Sequence, residues 1–120
     1  MVVPVTIVAE ILDSKLSGEQ RAKLTAFLKG SNVIVADTTL NIARKASEIR
    51  DAGLAMKPAR KIKTPDATII ATAVTYGCSA LHSLDDRGNG PLRLNGTPAS
   101  CGTRITKPIS ATGQRGLDNF

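Results

Sequence analysis

The stretch from Lys63 to Ala73, near the middle of the chain, predicts both a helix and the residue at which it begins. Thr64 is suited to cap a helix, and Pro65 suits its first position, where the N–H that proline lacks has no intrahelical acceptor. Asp66 then lies in the first turn, where the helix dipole stabilises a negative charge. Gly77 is suited to a left-handed C-cap, so we expect the helix to end just before it.

A short strand is predicted after this helix, from Ala80 to Leu84, and Asp85 follows it directly. The start of a helix and the end of the next strand can share one rim of a parallel sheet, so we expect Asp66 and Asp85 to converge. Two convergent carboxylates can hold a hard divalent cation. The sequence therefore predicts a carboxylate site at this rim.

Two helices and a strand are predicted in the first third of the chain. Val5 to Leu12 is apolar on nearly all sides, with Glu10 as its one early charge, which is typical of a buried helix. Ser17 begins a capping box for a second helix that runs to about Lys29. Val33 to Ala36 is a short continuous apolar run of the buried parallel-strand type.

A third helix is predicted next, ending near Gly53. Asp37, between the strand and this helix, is interpreted as its cap rather than as a metal ligand. Its predicted inward face consists of Leu40, Ala43, Ala46 and Ile49. The alternation of strands and helices predicts an α/β fold with a parallel sheet.

The chain changes character after Asp86, because glycine and proline are concentrated between Gly88 and Gly102. This composition predicts a loop. Thr103 to Lys107 can form a last edge strand, which Pro108 would stop. Residues 110–120 are interpreted as a polar tail.

The run T-P-D-A-x-I-I-A-x-A, the glycine after it and a strand that ends S-x-D form one connected pattern from Thr64 to Asp85. This pattern resembles the third and fourth acidic motifs of PIN-domain ribonucleases, the family that includes VapC-type toxins. The resemblance extends from about residue 4 to residue 109. It implies a PIN-like three-layer α/β/α fold with a small parallel sheet. The PIN-like domain would cover residues 1–109, and the tail residues 110–120.

The resemblance also implies an activity, that of a metal-dependent endoribonuclease, with a role as the toxin of a toxin–antitoxin pair and an antitoxin protein as partner. Catalysis and the binding of Mg²⁺ or Mn²⁺ are assigned to Glu10, Asp66 and Asp85, with Asp86 as the alternative to Asp85. The run from Ala9 to Leu12 fits the family pattern around its second acid, although the residues alone leave open that Glu10 points to solvent. Ser83 is expected to orient the metal's water or a phosphate by a hydrogen bond.

The family's first strand, which normally ends in an aspartate, has no match in this sequence. We therefore expect the fold to be N-terminally incomplete and cleavage by this chain to be weak or absent. We also expect self-association into a homo-oligomer through open sheet edges. The alternative function is a catalytically inactive PIN-like module that binds RNA or a protein.

Positive charge is concentrated between Arg44 and Lys63, where seven basic residues stand against two acidic ones. A basic segment that leads into Asp66 would bring RNA phosphates to the edge of an acidic metal site. The residues predicted to bind RNA are Lys57, Arg60, Lys61 and Lys63. An ordinary solvated connection is the alternative interpretation of this charge.

Other classes of protein receive little support from the sequence. No apolar run reaches the length of a membrane span, and the N-terminus lacks the basic start of a signal peptide, so a soluble cytoplasmic protein is expected. Cys78 and Cys101 are interpreted as free thiols. His82 is the only histidine and is interpreted as a packed or partly exposed strand residue. A glycine-rich phosphate loop, which a flavodoxin-like protein would need, is absent from the sequence.

Overall fold

The computed structural model describes residues 1–12, 15–83 and 87–108, without the side chains of Glu10 and Ile11. These described residues contain four α-helices and four three-residue β-strands, and every strand pair among them is parallel. The expectation of an α/β fold with parallel strands is therefore confirmed. The residues divide into two compact units, Met1–Asp37 and Thr38–Pro108.

A pair of short strands forms the sheet of the first unit. β1 (Val2–Pro4) pairs with β2 (Ile34–Ala36), and α1 (Val5–Leu12) follows β1 without a break. The sequence predicts β2 and α1 but not β1, because three residues beside a longer apolar run show no period of their own. β2 thus has a partner that the sequence does not reveal. The burial predicted for β2 and α1 is wrong, since Ile34 and Val35 are exposed and no described side chain of α1 is buried.

The second helix of this unit, α2 (Gly18–Leu28), confirms the predicted capping box. The hydroxyl of Ser17 accepts a hydrogen bond from the Gln20 N–H at 3.1 Å, and the Ser17 N–H donates to the Gln20 side chain at 2.9 Å. Two N–H groups that have no acceptor inside the helix are thereby satisfied. Leu24 is the buried residue of this helix.

Two packed helices and a parallel strand pair make up the second unit. α3 (Leu40–Leu54) packs along α4 (Thr64–Thr75), and β3 (Ala80–His82) pairs with β4 (Arg104–Thr106). The predicted edge strand near the end of the chain is confirmed as β4. The core of this unit is aliphatic and consists of Ile42, Ala46, Ile49, Ile62, Ala67, Ile70, Ala71, Leu94, Ala99 and Ile105.

The cap of α3 and two residues of its predicted inward face differ from the prediction, whereas Ala46 and Ile49 are buried as expected. Thr39, not Asp37, caps the helix, since its hydroxyl accepts a hydrogen bond from the Ile42 N–H at 3.3 Å. Leu40 and Ala43 are exposed, whereas the buried face consists of Ile42, Ala46, Ile49 and Gly53. Leu40 and Ile42 point to opposite sides because two residues differ by about 200° around a helix.

The ends of α4 are close to those predicted. The helix begins at Thr64, one residue earlier than expected, so that Lys63 occupies the N-cap position. At the other end Gly77 has a φ of +65°, as a left-handed C-cap requires. The Cys78 N–H donates to the Ala73 carbonyl at 2.9 Å, and the Gly77 N–H donates to the Val74 carbonyl at 3.1 Å. These two bonds satisfy carbonyls that the helix itself leaves without donors.

The predicted loop from Gly88 to Gly102 is instead a packed segment. It contains two short 3₁₀ helices, Pro91–Leu94 and Pro98–Ser100, and Leu94 and Ala99 are fully buried. Glycine and proline mark the turns of this segment correctly, but its apolar residues belong to the core.

Several smaller predictions can be compared with the described residues. Cys78 and Cys101 are free, as expected, and His82 is exposed at the end of β3. Within the described part of the chain, no helix is both long and apolar enough to cross a membrane. The proposed boundary between residues 109 and 110, and the polar tail, lie outside the described residues.

Candidate active site

A cleft of about 400 Å³ opens in the second unit beside the first turn of α4. It has two walls that come from different parts of the chain. The described residues that line it are Lys61, Lys63, Asp66, Arg87, Gly88, Asn89 and Gly90.

The acidic residue of the cleft is Asp66, which lies in the first turn of α4 and is half-buried. The N-terminal end of a helix favours a negative charge, because its first N–H groups have no acceptor within the helix. α4 is held in place below this turn by its small residues, since Ala67 and Ala71 are fully buried in the core. The carboxylate of Asp66 therefore stands at the start of a helix whose buried face belongs to the core.

Two threonines on the buried face of α4 are satisfied within the helix. The hydroxyl of Thr68 donates to the Thr64 carbonyl at 2.8 Å, and that of Thr72 donates to the Thr68 carbonyl at 2.8 Å. Both threonines are buried, so each hydroxyl would otherwise lose its hydrogen bond to water. These bonds let polar residues face the core without a partner from another element.

The connection between α3 and α4 forms the basic wall of the cleft. Ile62 is 1% exposed and belongs to the core, whereas Lys61 and Lys63 on either side of it are exposed and line the cleft. This alternation is typical of an extended segment, in which successive side chains point to opposite sides. One buried isoleucine thus directs two lysines into the cleft.

The same connection is folded closely onto the end of α3. The Arg60 N–H donates to the Gly53 carbonyl at 2.8 Å. A β-carbon at Gly53 would lie 2.7 Å from the Arg60 carbonyl oxygen and 2.7 Å from Cδ1 of Ile62. Gly53 is therefore required for this approach, which sets the path of the chain into the cleft.

The second wall of the cleft is a turn over residues 87–90. The Gly90 N–H donates to the Arg87 carbonyl at 2.8 Å, and Gly88 has a φ of +51°. The side-chain amide of Asn89 donates to the Lys61 carbonyl at 3.1 Å. This hydrogen bond joins the turn to the basic wall.

The structure describes only part of the predicted site. Asp66 lines the cleft, whereas Asp85 and Asp86 lie outside the described residues, as does the side chain of Glu10. Ser83 is half-buried, and its N–H donates to the Thr106 carbonyl at 3.0 Å, which continues the pairing of β3 with β4.

The four basic residues predicted to bind RNA fall into two groups. Lys61 and Lys63 line the cleft. The guanidinium of Arg60 instead donates to the Arg93 carbonyl at 2.6 Å, and Lys57 is exposed outside the described lining. Arg87 lines the cleft but is absent from the sequence prediction, although its place two residues after Asp85 is a signal that could have identified it.

The described residues supply one of the ligands expected of a metal site. Carboxylate oxygens are preferred ligands of Mg²⁺, and Asp66 supplies such a group to the cleft. Within residues 1–12, 15–83 and 87–108, no three histidine, cysteine or acidic side chains form a group that could hold a metal. The other acids assigned by the sequence are those that the structure does not describe.

The described lining of the cleft carries three basic side chains and one acidic one. A cleft lined mainly by one sign of charge concentrates ligands of the opposite sign. The described lining therefore favours an anion, with the carboxylate of Asp66 among its basic side chains.

Comparison with known families finds a match between residues 1–89 of this chain and the family model described as the PIN domain. The matched residues include Asp66 and both lysines of the cleft, Lys61 and Lys63. Comparison with curated proteins and with solved structures finds no significant match.

Proposed function

Because the chain belongs to the PIN-domain family, whose members are typically nucleases, we propose that it is a metal-dependent endoribonuclease. The observation that carries the proposal is the cleft at the start of α4, in which a carboxylate lies among basic side chains. A phosphodiester bound there would meet both the cations that attract it and an acid of the metal site.

We assign the metal to Asp66, Asp85 and Glu10, with Asp86 as the alternative to Asp85. The described position of Arg87 supports the assignment of Asp85, since Arg87 follows Asp85 by two residues and lines the same cleft as Asp66. A bound Mg²⁺ or Mn²⁺ would supply a more acidic water and counter the charge of the phosphate. The Ser83 N–H is held by the Thr106 carbonyl of β4, and we assign to the Ser83 hydroxyl the role of orienting the metal's water or a phosphate.

The lysines of the cleft bind phosphate groups of the substrate in this proposal. Lys61 and Lys63 attract RNA through charge and do not read its bases, because phosphate contacts carry no sequence information. The resemblance of the acidic motifs to VapC-type toxins supports a toxin role with a cognate antitoxin. A homo-oligomer and a cytoplasmic location remain predictions of the sequence.

The proposal is tested by cleavage of a fluorescent single-stranded RNA. We expect slow cleavage in Mg²⁺ or Mn²⁺ that stops in the presence of a chelator and that Asp66→Asn abolishes. The matched control is Asp51→Asn, which makes the same chemical change at an exposed position on α3 and should leave the rate unchanged. Equal rates for the wild type and Asp66→Asn, or no cleavage by the wild type, would refute the proposal.

A second candidate is an RNA-binding module without catalytic activity. The observation that favours it is the excess of basic over acidic side chains among the described residues of the cleft. Such a protein would bind the same RNA in chelator, and its affinity would survive Asp66→Asn. Metal-dependent cleavage by the wild type would exclude this candidate.

A further inference from the structure

The turn over residues 87–90 carries a basic residue, Arg87, to which the sequence assigns no role. Arg87 lines the same cleft as Lys61 and Lys63 but comes from a different part of the chain. The cleft, at about 400 Å³, falls within the range of about 300–1,000 Å³ that is usual for ligand sites. It therefore has room for a segment of nucleotide backbone between the two walls.

We propose that Lys61, Lys63 and Arg87 form a phosphate clamp, in which cations on both walls bind the backbone of a single RNA strand. We further propose that Asn89 is a positioning residue for this clamp. The proposal rests on the function proposed above, because it takes the RNA of that function as its ligand.

The basic wall of the clamp presents its charges at a regular spacing. Lys61 and Lys63 flank the buried Ile62, so their Cα atoms are about 6–7 Å apart along an extended segment. Such a spacing allows each lysine to contact a different phosphate of one strand. Lysine acts as a point charge on a flexible stem, which tolerates variation in the position of each phosphate.

The turn on the other wall presents a different kind of cation. The guanidinium of arginine is planar and can donate two parallel hydrogen bonds to one phosphate group. Arg87 is therefore suited to fix the orientation of a phosphate that the lysines attract. One arginine and two lysines would together contact about three phosphates.

Hydrogen bonds between the two walls hold the clamp in shape. The Asn89 side chain donates to the Lys61 carbonyl at 3.1 Å, and the Arg60 side chain donates to the Arg93 carbonyl at 2.6 Å. Both bonds join the basic connection to the chain that follows β3. We therefore assign Arg60, although it is basic, a structural role in holding these segments together. Asn89 fixes the turn that bears Arg87 relative to Lys61.

The test measures the binding of single-stranded RNA in chelator, where no cleavage occurs, over a series of salt concentrations. Each phosphate contact contributes about 0.7 to the slope of log K against log salt for a single strand. We expect Lys63→Gln and Arg87→Gln each to lower the slope by about 0.7. The matched controls, Lys29→Gln and Arg44→Gln, change exposed basic residues outside the described lining and should leave it unchanged.

The role of Asn89 is tested by a double-mutant cycle with Arg87. Asn89→Ala should lower the slope nearly as much as Arg87→Gln, and the double variant should lose little more than either single variant, because both changes remove the same contact. A role confined to stability would lower the melting temperature and leave the slope intact. Additive losses in the double variant would refute the positioning role.

The clamp and the proposed function can fail separately. If the wild type binds RNA and Arg87→Gln keeps the full slope of log K against log salt, the clamp is refuted. The nuclease proposal is not affected by that result. If the wild type gives no metal-dependent cleavage but the slope changes as expected, the nuclease proposal fails and the clamp stands. Arg87→Lys is the control for loss of the fold. Because it keeps the positive charge, it should keep most of the slope of log K against log salt.

Discussion

At the residue scale, Gly53 shows how one position connects packing with the candidate site. Any β-carbon there would lie 2.7 Å from the Arg60 carbonyl oxygen, a backbone atom that cannot rotate away. The sequence places this glycine near the end of a helix, but it does not reveal that another segment comes so close. That contact depends on the fold of residues 53–62, which local sequence signals cannot determine.

Gly53→Ala should therefore destabilise the protein, although alanine is normally the better residue in a helix. We expect a loss of about 1–3 kcal/mol in the free energy of unfolding, as is usual for overpacking. Gly18→Ala is the matched control, because a β-carbon at Gly18 meets no atom within 4 Å. Urea denaturation of both variants measures the difference. A Gly53→Ala protein as stable as the wild type would contradict the close approach.

At the scale of single elements, local signals predict the helices well and the strands less completely. The capping box of Ser17 and the C-cap at Gly77 lie within a few residues of the helix ends that they mark. β1 has only three residues and gains its strand conformation from pairing with β2, about thirty residues away along the chain. The sequence could predict the helix caps, which are local, but not a strand that depends on a distant partner.

The start of α4 lacks a capping side chain. Lys63 occupies the N-cap position and makes no side-chain capping bond, whereas serine, threonine, aspartate or asparagine is preferred there. Lys63→Ser should raise the free energy of unfolding by about 0.5–1 kcal/mol and weaken RNA binding. Lys15→Ser, at an exposed position outside any helix, should change neither quantity. Urea denaturation and RNA titration measure both effects, and unchanged RNA affinity in Lys63→Ser would contradict a binding role for this lysine.

At the scale of the whole molecule, distant parts of the chain meet in the core of the second unit. The sequence predicts its α/β class and the helix that bears Asp66, but it treats residues 88–102 as a loop. Leu94 and Ala99 in that segment are fully buried. Composition could not show this, because glycine and proline indicate turns without saying whether the residues between them are covered.

Leu94→Ala tests whether this segment is part of the core. We expect it to lower the free energy of unfolding by about 2–5 kcal/mol, as removal of a buried leucine side chain usually does. Leu54→Ala makes the same change at a residue that is 56% exposed and should have a much smaller effect. Similar losses in the two variants would show that the segment is not packed as described. Urea denaturation is again the measurement.

Some residues of the candidate site could be predicted from local sequence features, and others could not. Asp66, Lys61 and Lys63 were accessible to sequence analysis because a helix start, an acid and a basic run are local features. Arg87 and Asn89 required the structure, since they reach the cleft from a turn that follows another strand.

The central claim is that the carboxylate at the start of α4 holds a divalent metal in the basic cleft. The most direct measurement is the melting temperature in increasing Mn²⁺, compared among the wild type, Asp66→Asn and the control Asp51→Asn. A ligand that binds only the folded state adds about 2.7 kcal/mol of stability at a hundred times its dissociation constant. We expect the melting temperature of the wild type and of Asp51→Asn to rise with Mn²⁺, and that of Asp66→Asn to stay constant. An equal rise in Asp66→Asn would contradict the claim.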